Sequence, residues 1–252
     1  VREGEAVDRH LQAGDLPAAR RQVRNLVGRD TRSLDADGIA RACVESLAEN
    51  TSDAVVAPLL WGGLCGIPGL LGYRAVNTLD AMVGHRTTRY NEFGWGAAKL
   101  DDLANWIPAR AAAAAALLSA AIDRDRAAIS RGVTAVRRDA PAHPSPNGGV
   151  VEAAFAGVLG VTLGGTNVYE GRPEDRGTLG VGPSPAAYDI GRANRLSRRV
   201  GVLALAGALA LAGGKACIRY RGTGLTSMHD EHTPLTGTTL VGSRRGVHPP
   251  HG

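Results

Sequence analysis

The sequence predicts an all-α, multi-pass helical membrane protein with broken or re-entrant helices. Three features predict it. The apolar residues are Ala, Leu, Val and Gly with only two Phe, and they gather in runs instead of alternating, which suits small-residue helix packing and not a sandwich or barrel. Residues 54–73 carry no charge and reach the roughly 20 residues that a helix needs to cross a bilayer core. The acidic side chains collect in polar helical stretches that flank the apolar segments.

Residues 2–26 read as a polar helix pair broken near Gly14-Asp15-Leu16-Pro17. Asp15 is placed to cap the second helix and Pro17 stands at its second position. A polar loop follows from Gly28. The next helix, over residues 37–50, carries Ile39, Cys43, Val44 and Leu47 as its apolar stripe. Pro58, Pro68 and five Gly interrupt the uncharged run at 54–73, so a broken or re-entrant pair competes there with one clean span. Residues 74–106 are polar, and 109–122 form a second apolar helix.

A basic segment and a Pro/Gly-rich loop at 141–149 lead into an apolar helical stretch at 150–165, interrupted by Glu152. Residues 166–188 read as polar and turn-rich. A basic lead-in at 192–199 then opens the apolar run at 200–213, which is short for a full span. Residues 1–213 are expected to form one membrane-embedded domain. Residues 214–252, rich in Gly, Thr, His and Pro without apolar period, are expected to be a disordered or unrelated tail whose histidines are incidental.

The formal charge of +5 comes from Arg, with Lys only at positions 99 and 215, and the basic excess lies wholly in the second half. Arginines at the ends of apolar runs fit the cytosolic side of a cell-membrane protein. A nucleic-acid-binding chain would interleave them with aromatics, so no nucleic-acid partner is expected. Cys43, Cys65 and Cys217 are odd in number and far apart, which fits a reducing compartment and small buried side chains. The opening Val1-Arg-Glu-Gly is neither a signal peptide nor an initiator sequence, which points to a chain truncated ahead of Val1.

Three polar clusters can carry chemistry. Glu45 and Glu49 lie four apart on one helical face, with Asn50 and Asp53 beside them; like charges at that spacing repel unless a cation, an arginine or a proton relieves them. A pair of this kind can hold Mg²⁺ or can be a solvated face partnered by Arg41. The second cluster is Arg74, Asn77, Asp80, His85, Arg86 and Arg89. Here His85 either moves a proton or caps helix carbonyls, and Arg86 can clamp an anion. The third is Lys99, Asp101, Asp102 and Asn105. Oxygen ligands for an ion beside cations for phosphate charge are what a Mg²⁺-phosphate reaction requires. The sequence has no P-loop and no dinucleotide fingerprint.

Several ordered motifs run through these same residues: Leu26-Val-Gly-Arg-Asp-Thr, Ala48-Glu-Asn-Thr-Ser-Asp, Tyr73-Arg-Ala-Val-Asn-Thr-Leu-Asp-Ala-Met-Val-Gly-His-Arg, Phe93-Gly-Trp and Lys99-Leu-Asp-Asp-Leu-Ala-Asn-Trp-Ile-Pro-Ala-Arg. Pro144-Ser-Pro-Asn-Gly-Gly and Glu152-Ala-Ala-Phe-Ala-Gly-Val-Leu-Gly follow in the second half. Together they closely resemble the adenosylcobinamide-phosphate synthases of cobalamin biosynthesis, CobD/CbiB-like integral membrane proteins, over residues 5–213. The family has further membrane-spanning residues ahead of such a helix pair and closes with an apolar helix where this chain has its 218–252 tail.

The resemblance implies a ligase that uses ATP, with Mg²⁺, to join a propionate carboxylate of adenosylcobyric acid to the amine of (R)-1-amino-2-propanol or its phosphate, through an acyl phosphate. It further implies a corrinoid substrate, membrane lipid around the chain, and contact with other enzymes of the corrinoid pathway. By residue chemistry, Glu45, Glu49, Asp53, Asp80 and Asp101 are the metal candidates. Asp53, Asp80, His85, Lys99 and Asp102 are the catalytic candidates. Arg29, Asn50, Arg74, Asn77, Arg86 and Asn105 are the substrate-binding candidates, with Asn147 for the corrinoid's amide-fringed edge. Two other readings compete: a non-enzymatic membrane sensor or accessory protein of the same superfamily, which would not need the full polar set, and a soluble helical interaction protein with 54–73 as a buried hairpin.

Overall fold

The computed structural model describes residues 1–84, 91–169 and 172–226, and the side chains of 91–93, 168, 169, 172 and 215–226 lie outside the description. The chain divides into two compact units, Val1–Gly213 and Gly214–Gly252. Among the described residues, every helix and strand except the end of the last helix lies in the first unit. His85, Arg86, Arg89 and the tail from residue 227 onward lie outside the described residues.

Helices α1 (Arg2–Gln12) and α2 (Leu16–Val23) form the antiparallel pair that the Gly14–Pro17 break predicts. The Asp15 carboxylate accepts from the Ala18 amide at 2.9 Å and so satisfies one orphan donor of α2. Helix α3 (Ala36–Thr51) is capped in the same way by Asp35, which accepts from Gly38 N at 2.8 Å. It buries Ile39, Cys43, Val44 and Leu47 against α1 and α2.

Helix α3 runs through a π-helical turn, Ser52–Val56, into α4 (Ala57–Val83). Gly66, at φ 69° and ψ −157°, breaks α4 in a conformation open almost only to glycine. The chain reverses there. A methyl placed on Gly69 would lie 2.5 Å from the Trp61 carbonyl oxygen, although eight residues of straight helix rise about 12 Å. The uncharged run at 54–73 is therefore broken into a helical hairpin and is not one straight helix.

Helix α5 (Asn91–Ile122) is a single helix through Pro108, so the apolar segment at 109–122 is the second half of a longer element. Helix α6 (Arg126–Arg138) is capped by Asp125 and returns alongside α5. Helix α7 (Gly148–Leu159) is the centre of the fold, with Val151, Glu152, Phe155 and Ala156 all buried. It touches α6 through glycine on glycine: a methyl on Gly157 would stand 2.5 Å from Gly132 Cα.

The all-α expectation needs one correction. Gly160 adopts the left-handed conformation at φ 71° and stops α7, and the chain then pairs β1 (Leu163–Tyr169) with β2 (Arg172–Leu179) as an antiparallel hairpin. Leu163 faces Leu179 and Asn167 faces Glu174, with an irregular register at Gly164–Thr166. The stretch expected as helix to 165 and as turns over 166–188 thus holds the two strands found among the described residues.

Helix α8 (Ala187–Thr226) runs parallel to α3 and the first leg of α4. The Thr51 and Ser197 hydroxyls meet at 2.6 Å, a methyl on Gly201 would touch Val55, and one on Gly63 would lie 3.1 Å from Ala208 Cα. Among the described residues, two helical stretches are long and apolar enough to cross a membrane, Ala36–Val83 and Ala187–Gly214. Only 11% and 22% of their most apolar windows are buried, which is unlike the core helix of a water-soluble protein.

Candidate functional site

The hairpin reversal at Gly66 returns Tyr73 to the foot of the first leg, where its hydroxyl lies 3.0 Å from the Asp53 carbonyl and 2.9 Å from Asn105 Oδ1. Asn105 then donates to Asp101 Oδ2 at 2.9 Å, and Asn77 donates to Asp101 Oδ1 at 3.2 Å. These bonds lock α4 and α5 together with two amide donors aimed at one carboxylate. Asp101 and Asn105, four apart, share the inner face of α5 as their spacing predicts.

Around this lock lies a cleft of about 70 Å³, lined by Glu49, Ser52, Asp53, Asp101, Asp102, Asn105, Ser145, Asn147, Gly148 and Val151. Asp53 lies within charge reach of Asp101, Glu49 and Asp80. Asn147 closes the far side: its amide donates to the Asp102 carbonyl at 2.7 Å and its Oδ1 accepts from Arg110 at 3.1 Å. Ser145 Oγ accepts from Gly148 N at 3.0 Å and so fixes the loop at the start of α7.

Behind the cleft is a buried charged group that sequence reasoning missed. Arg176 on β2 donates from Nη2 to Glu49 Oε1 at 3.0 Å and from Nε to His143 Nε2 at 3.0 Å. Glu152 Oε1 is 3.5 Å from Arg176 Nη2 and 3.4 Å from His143 Nε2. A guanidinium is always protonated, so Nε2 accepts, while Nδ1 lies 3.1 Å from both the carbonyl oxygen and the amide nitrogen of Ser145. Burial, then the facing Glu49 charge, pushes the Glu152 carboxyl well above the usual carboxylate range. Burial and the Arg176 charge hold the His143 imidazole below its ordinary value.

The sequence did carry signals for this group. A single acid inside an apolar helix needs a buried partner, and Glu152 is such an acid. Arg176 gave no signal, because it lies in a segment with no helical period.

The structure brings Glu49, Asp53, Asp101, Asp102, Asn105 and Asn147 to the cleft wall, with Asn77 supporting Asp101. Lys99 stands beside it, 3.4 Å from Asp102. Asp80 is half-buried on the return leg of α4.

Four expectations are corrected. Glu45 does not face the cleft: it pairs with buried Arg29 at 2.9 Å and accepts from Gly164 N at 2.8 Å, so both of its oxygens tie α3 to the loop and to β1. Arg29 is buried with its Nη1 on Glu45, and it does not line the cleft. Asn50 is exposed and donates back to Ser46 O at 2.8 Å on its own helix. Arg74 is exposed and does not line the cleft. His85 and Arg86 lie outside the described residues.

The donors at the cleft are all oxygen, which is the chemistry that suits Mg²⁺. Among the described residues, no three His, Cys, Asp or Glu side chains form a ready-made metal cage. That is compatible with Mg²⁺, which takes one or two carboxylates and fills its remaining positions with water and phosphate oxygens.

Residues 1–197 match the family described as CobD/Cbib protein. The protein of Mycobacterium tuberculosis strain H37Rv named cobalamin biosynthesis protein CobD is 51% identical over 201 residues, which cover 79% of this chain and 63% of that protein. Proteins of the same name from Rhodobacter capsulatus and Chromobacterium violaceum are 50% and 47% identical, over 77% and 79% of this chain and 60% and 62% of their own lengths. The chain thus spans a little over three fifths of these curated relatives. No solved structure matches it significantly.

Proposed function

We propose, from the premise that this chain belongs to the CobD/Cbib protein family, that it is a multi-pass membrane ligase of cobalamin biosynthesis. It forms the amide between a propionate carboxylate of adenosylcobyric acid and (R)-1-amino-2-propanol or its phosphate, with consumption of ATP. The observation that carries this reading is the convergence of Glu49, Asp53, Asp101 and Asp102 on one cleft at the foot of an apolar hairpin. A sensor or accessory protein has no need of such a wall.

A carboxylate does not accept an amine directly, because oxide is too poor a leaving group. Attack of the carboxylate oxygen on the γ-phosphorus of ATP breaks the bond to ADP and gives an acyl phosphate. The amine then attacks the acyl carbon, phosphate leaves, and the amine's surplus proton goes to a base. Asp53 and Asp101 would hold Mg²⁺, which when bound neutralises charge on the transferring phosphoryl group. Lys99 and Arg110 are cations that stand beside the cleft, and they suit phosphate oxygens. Asp102, which lines the cleft with its carboxylate beside Lys99, would take the amine's proton. Asn147, held between Asp102 and Arg110, presents the amide chemistry that suits the corrinoid's fringe.

The test is complementation of a bacterial strain that lacks cobinamide-phosphate formation, alongside titration of the purified chain with Mg²⁺ and ATP. Growth with the parent chain, and loss of both growth and nucleotide binding in Asp53→Asn, is the expected result. Growth undiminished by Asp53→Asn and Asp101→Asn together overturns the reading.

A further inference from the structure

Helix α5 is long and partly apolar. Its first part runs beside α4, where Asp101 meets Asn77, Asn105 meets Tyr73 and the Ala104 carbonyl accepts from Trp61, but beyond Asn105 the residues it meets turn it away from the apolar helices. Asn105 meets Tyr73 at the level of Asp53. Fourteen residues on, about 21 Å along a helix, Ser119 and Asp123 both meet Arg199. Arg199 is two residues from Ser197, and Ser197 is bonded to Thr51. Thr51 and Asp53 mark one level of α3 and its π turn, so both ends of this stretch of α5 touch the same level. Meanwhile α4's first leg and α8 rise together from that level, in step from Thr51/Ser197 to Gly63/Ala208. Helix α5 therefore crosses the foot of the two apolar elements.

Its two faces differ sharply. Asn105, Ala109, Ala112, Ala116 and Ser119 are buried at helical spacing against the fold. On the other side Leu103, Trp106, Ile107, Leu118 and Ile122 are 49–71% exposed, an apolar stripe more than three turns long.

We propose that α5 lies along the membrane surface, with this stripe seated at the boundary between phospholipid headgroups and acyl chains. The inference rests on the membrane reading above and adds to it which element lies in the plane. Three observations select a lipid surface as the occupant. The stripe is continuous with the foot of the apolar hairpin and of α8, where a bilayer boundary falls. Trp106 is half-exposed with Arg110 stacked 4.4 Å above its ring, a pairing of apolar body and polar tip that suits the interface. At the far end, α8 enters its apolar run directly after Arg195, Arg198 and Arg199, and Arg195 forms no hydrogen bond or ion pair among the described residues, leaving it for lipid phosphate. The carboxylate cleft, on the inner face of α5, then opens at the boundary on one side of the membrane.

The test uses the full chain in sealed vesicles with Cys43, Cys65 and Cys217 replaced by alanine. Single cysteines are introduced as Gly96→Cys, where added atoms meet open space, and as exposed Arg126→Cys. Separately, a fluorophore on Leu118→Cys is challenged with lipids carrying nitroxide near the headgroup or deep in the chain. The expected result is that a membrane-impermeant maleimide labels positions 96 and 126 from the same side, and that the shallow nitroxide quenches position 118 at least twofold more than the deep one. Labelling from opposite sides overturns the proposal in favour of a spanning α5. Absence of quenching from either depth overturns it in favour of a protein partner or second copy on the stripe. Release of the chain from the membrane by alkaline carbonate defeats the membrane reading itself, a separate outcome.

Discussion

The Tyr73 hydroxyl lies 3.0 Å from the carbonyl of Asp53, twenty positions earlier in the chain. That contact closes the helical hairpin. It also sets Asp53, at the mouth of an apolar element, opposite Asp101 and Asn105 on α5. Fold and site therefore share a joint: whatever loosens the hairpin also opens the carboxylate cleft.

Tyr73→Phe tests the joint with little change of volume. It strips the donor from buried Asn105 Oδ1, and leaving such a group unsatisfied costs about 1–3 kcal/mol. The apparent Tm in detergent should fall. Activity should fall further than the lost stability explains, because Asn105 also positions Asp101. Full activity in this variant with a lowered Tm would separate the hairpin from the chemistry.

Asp101→Asn keeps shape and removes charge. Two amides, Asn77 and Asn105, donate to this carboxylate, and a neutral amide in its place must turn a donor toward one of them. Product formation is expected to fall by about a hundredfold or more, as for loss of an electrostatic group at a reacting phosphate. Lys99→Ala, on an exposed side chain whose ion pair is worth little in stability, is expected to leave the Tm within about 0.5 kcal/mol equivalent while raising the KM for ATP. Initial-rate kinetics of both variants distinguishes these roles.

Arg176 is the cation that faces Glu49, and it also stands beside Glu152. Arg176→Ala therefore strips a charged hydrogen-bond donor from Glu49 and from His143, and the cost is expected at about 1–3 kcal/mol. Adding Glu49→Gln should recover a good part of that loss, since it removes the charge that Arg176 compensates. Thermal unfolding of the two single variants and the double one gives the coupling directly.

Much of this was legible in the chain. Asp15, Asp35 and Asp125 cap helices for reasons visible in their spacing, and the hairpin at 54–73 is foreshadowed by its glycines and prolines. The acids at 49, 53, 101 and 102 meet because helix period and the hairpin reversal agree. What escaped was non-local. Glu45 and Glu49 look alike in sequence, yet one faces Arg29 and Gly164 while the other faces the cleft, a choice made by how α3 rolls against β1. The β-hairpin escaped because Gly164 and Gly165 read as the end of an apolar helical stretch and Gly177 as part of a turn, whereas here, all at positive φ, they permit an irregular ladder. Arg176 escaped with it.

The pH dependence of stability follows from the two buried groups behind the cleft. The Glu152 carboxyl is raised by burial and by Glu49, so it stays neutral in the folded chain at pH values where the unfolded chain has already ionised. Its stabilising share is complete below the ordinary glutamate value of about 4.5 and is lost as pH rises toward the folded value. His143 works from the other side. Its imidazole is depressed by burial and Arg176, so its share is complete above the ordinary value of about 6.5 and is lost as pH falls through the folded value. Glu152→Gln keeps shape and hydrogen-bonding capacity and cannot ionise. It should therefore flatten the decline of stability on the alkaline side of pH 4.5 and leave the acid limb from His143 in place. Apparent Tm measured from pH 4 to 9 for parent and variant is the check, and parallel curves across that range would show that Glu152 is already ionised in the folded protein, held by Arg176 and not by a proton.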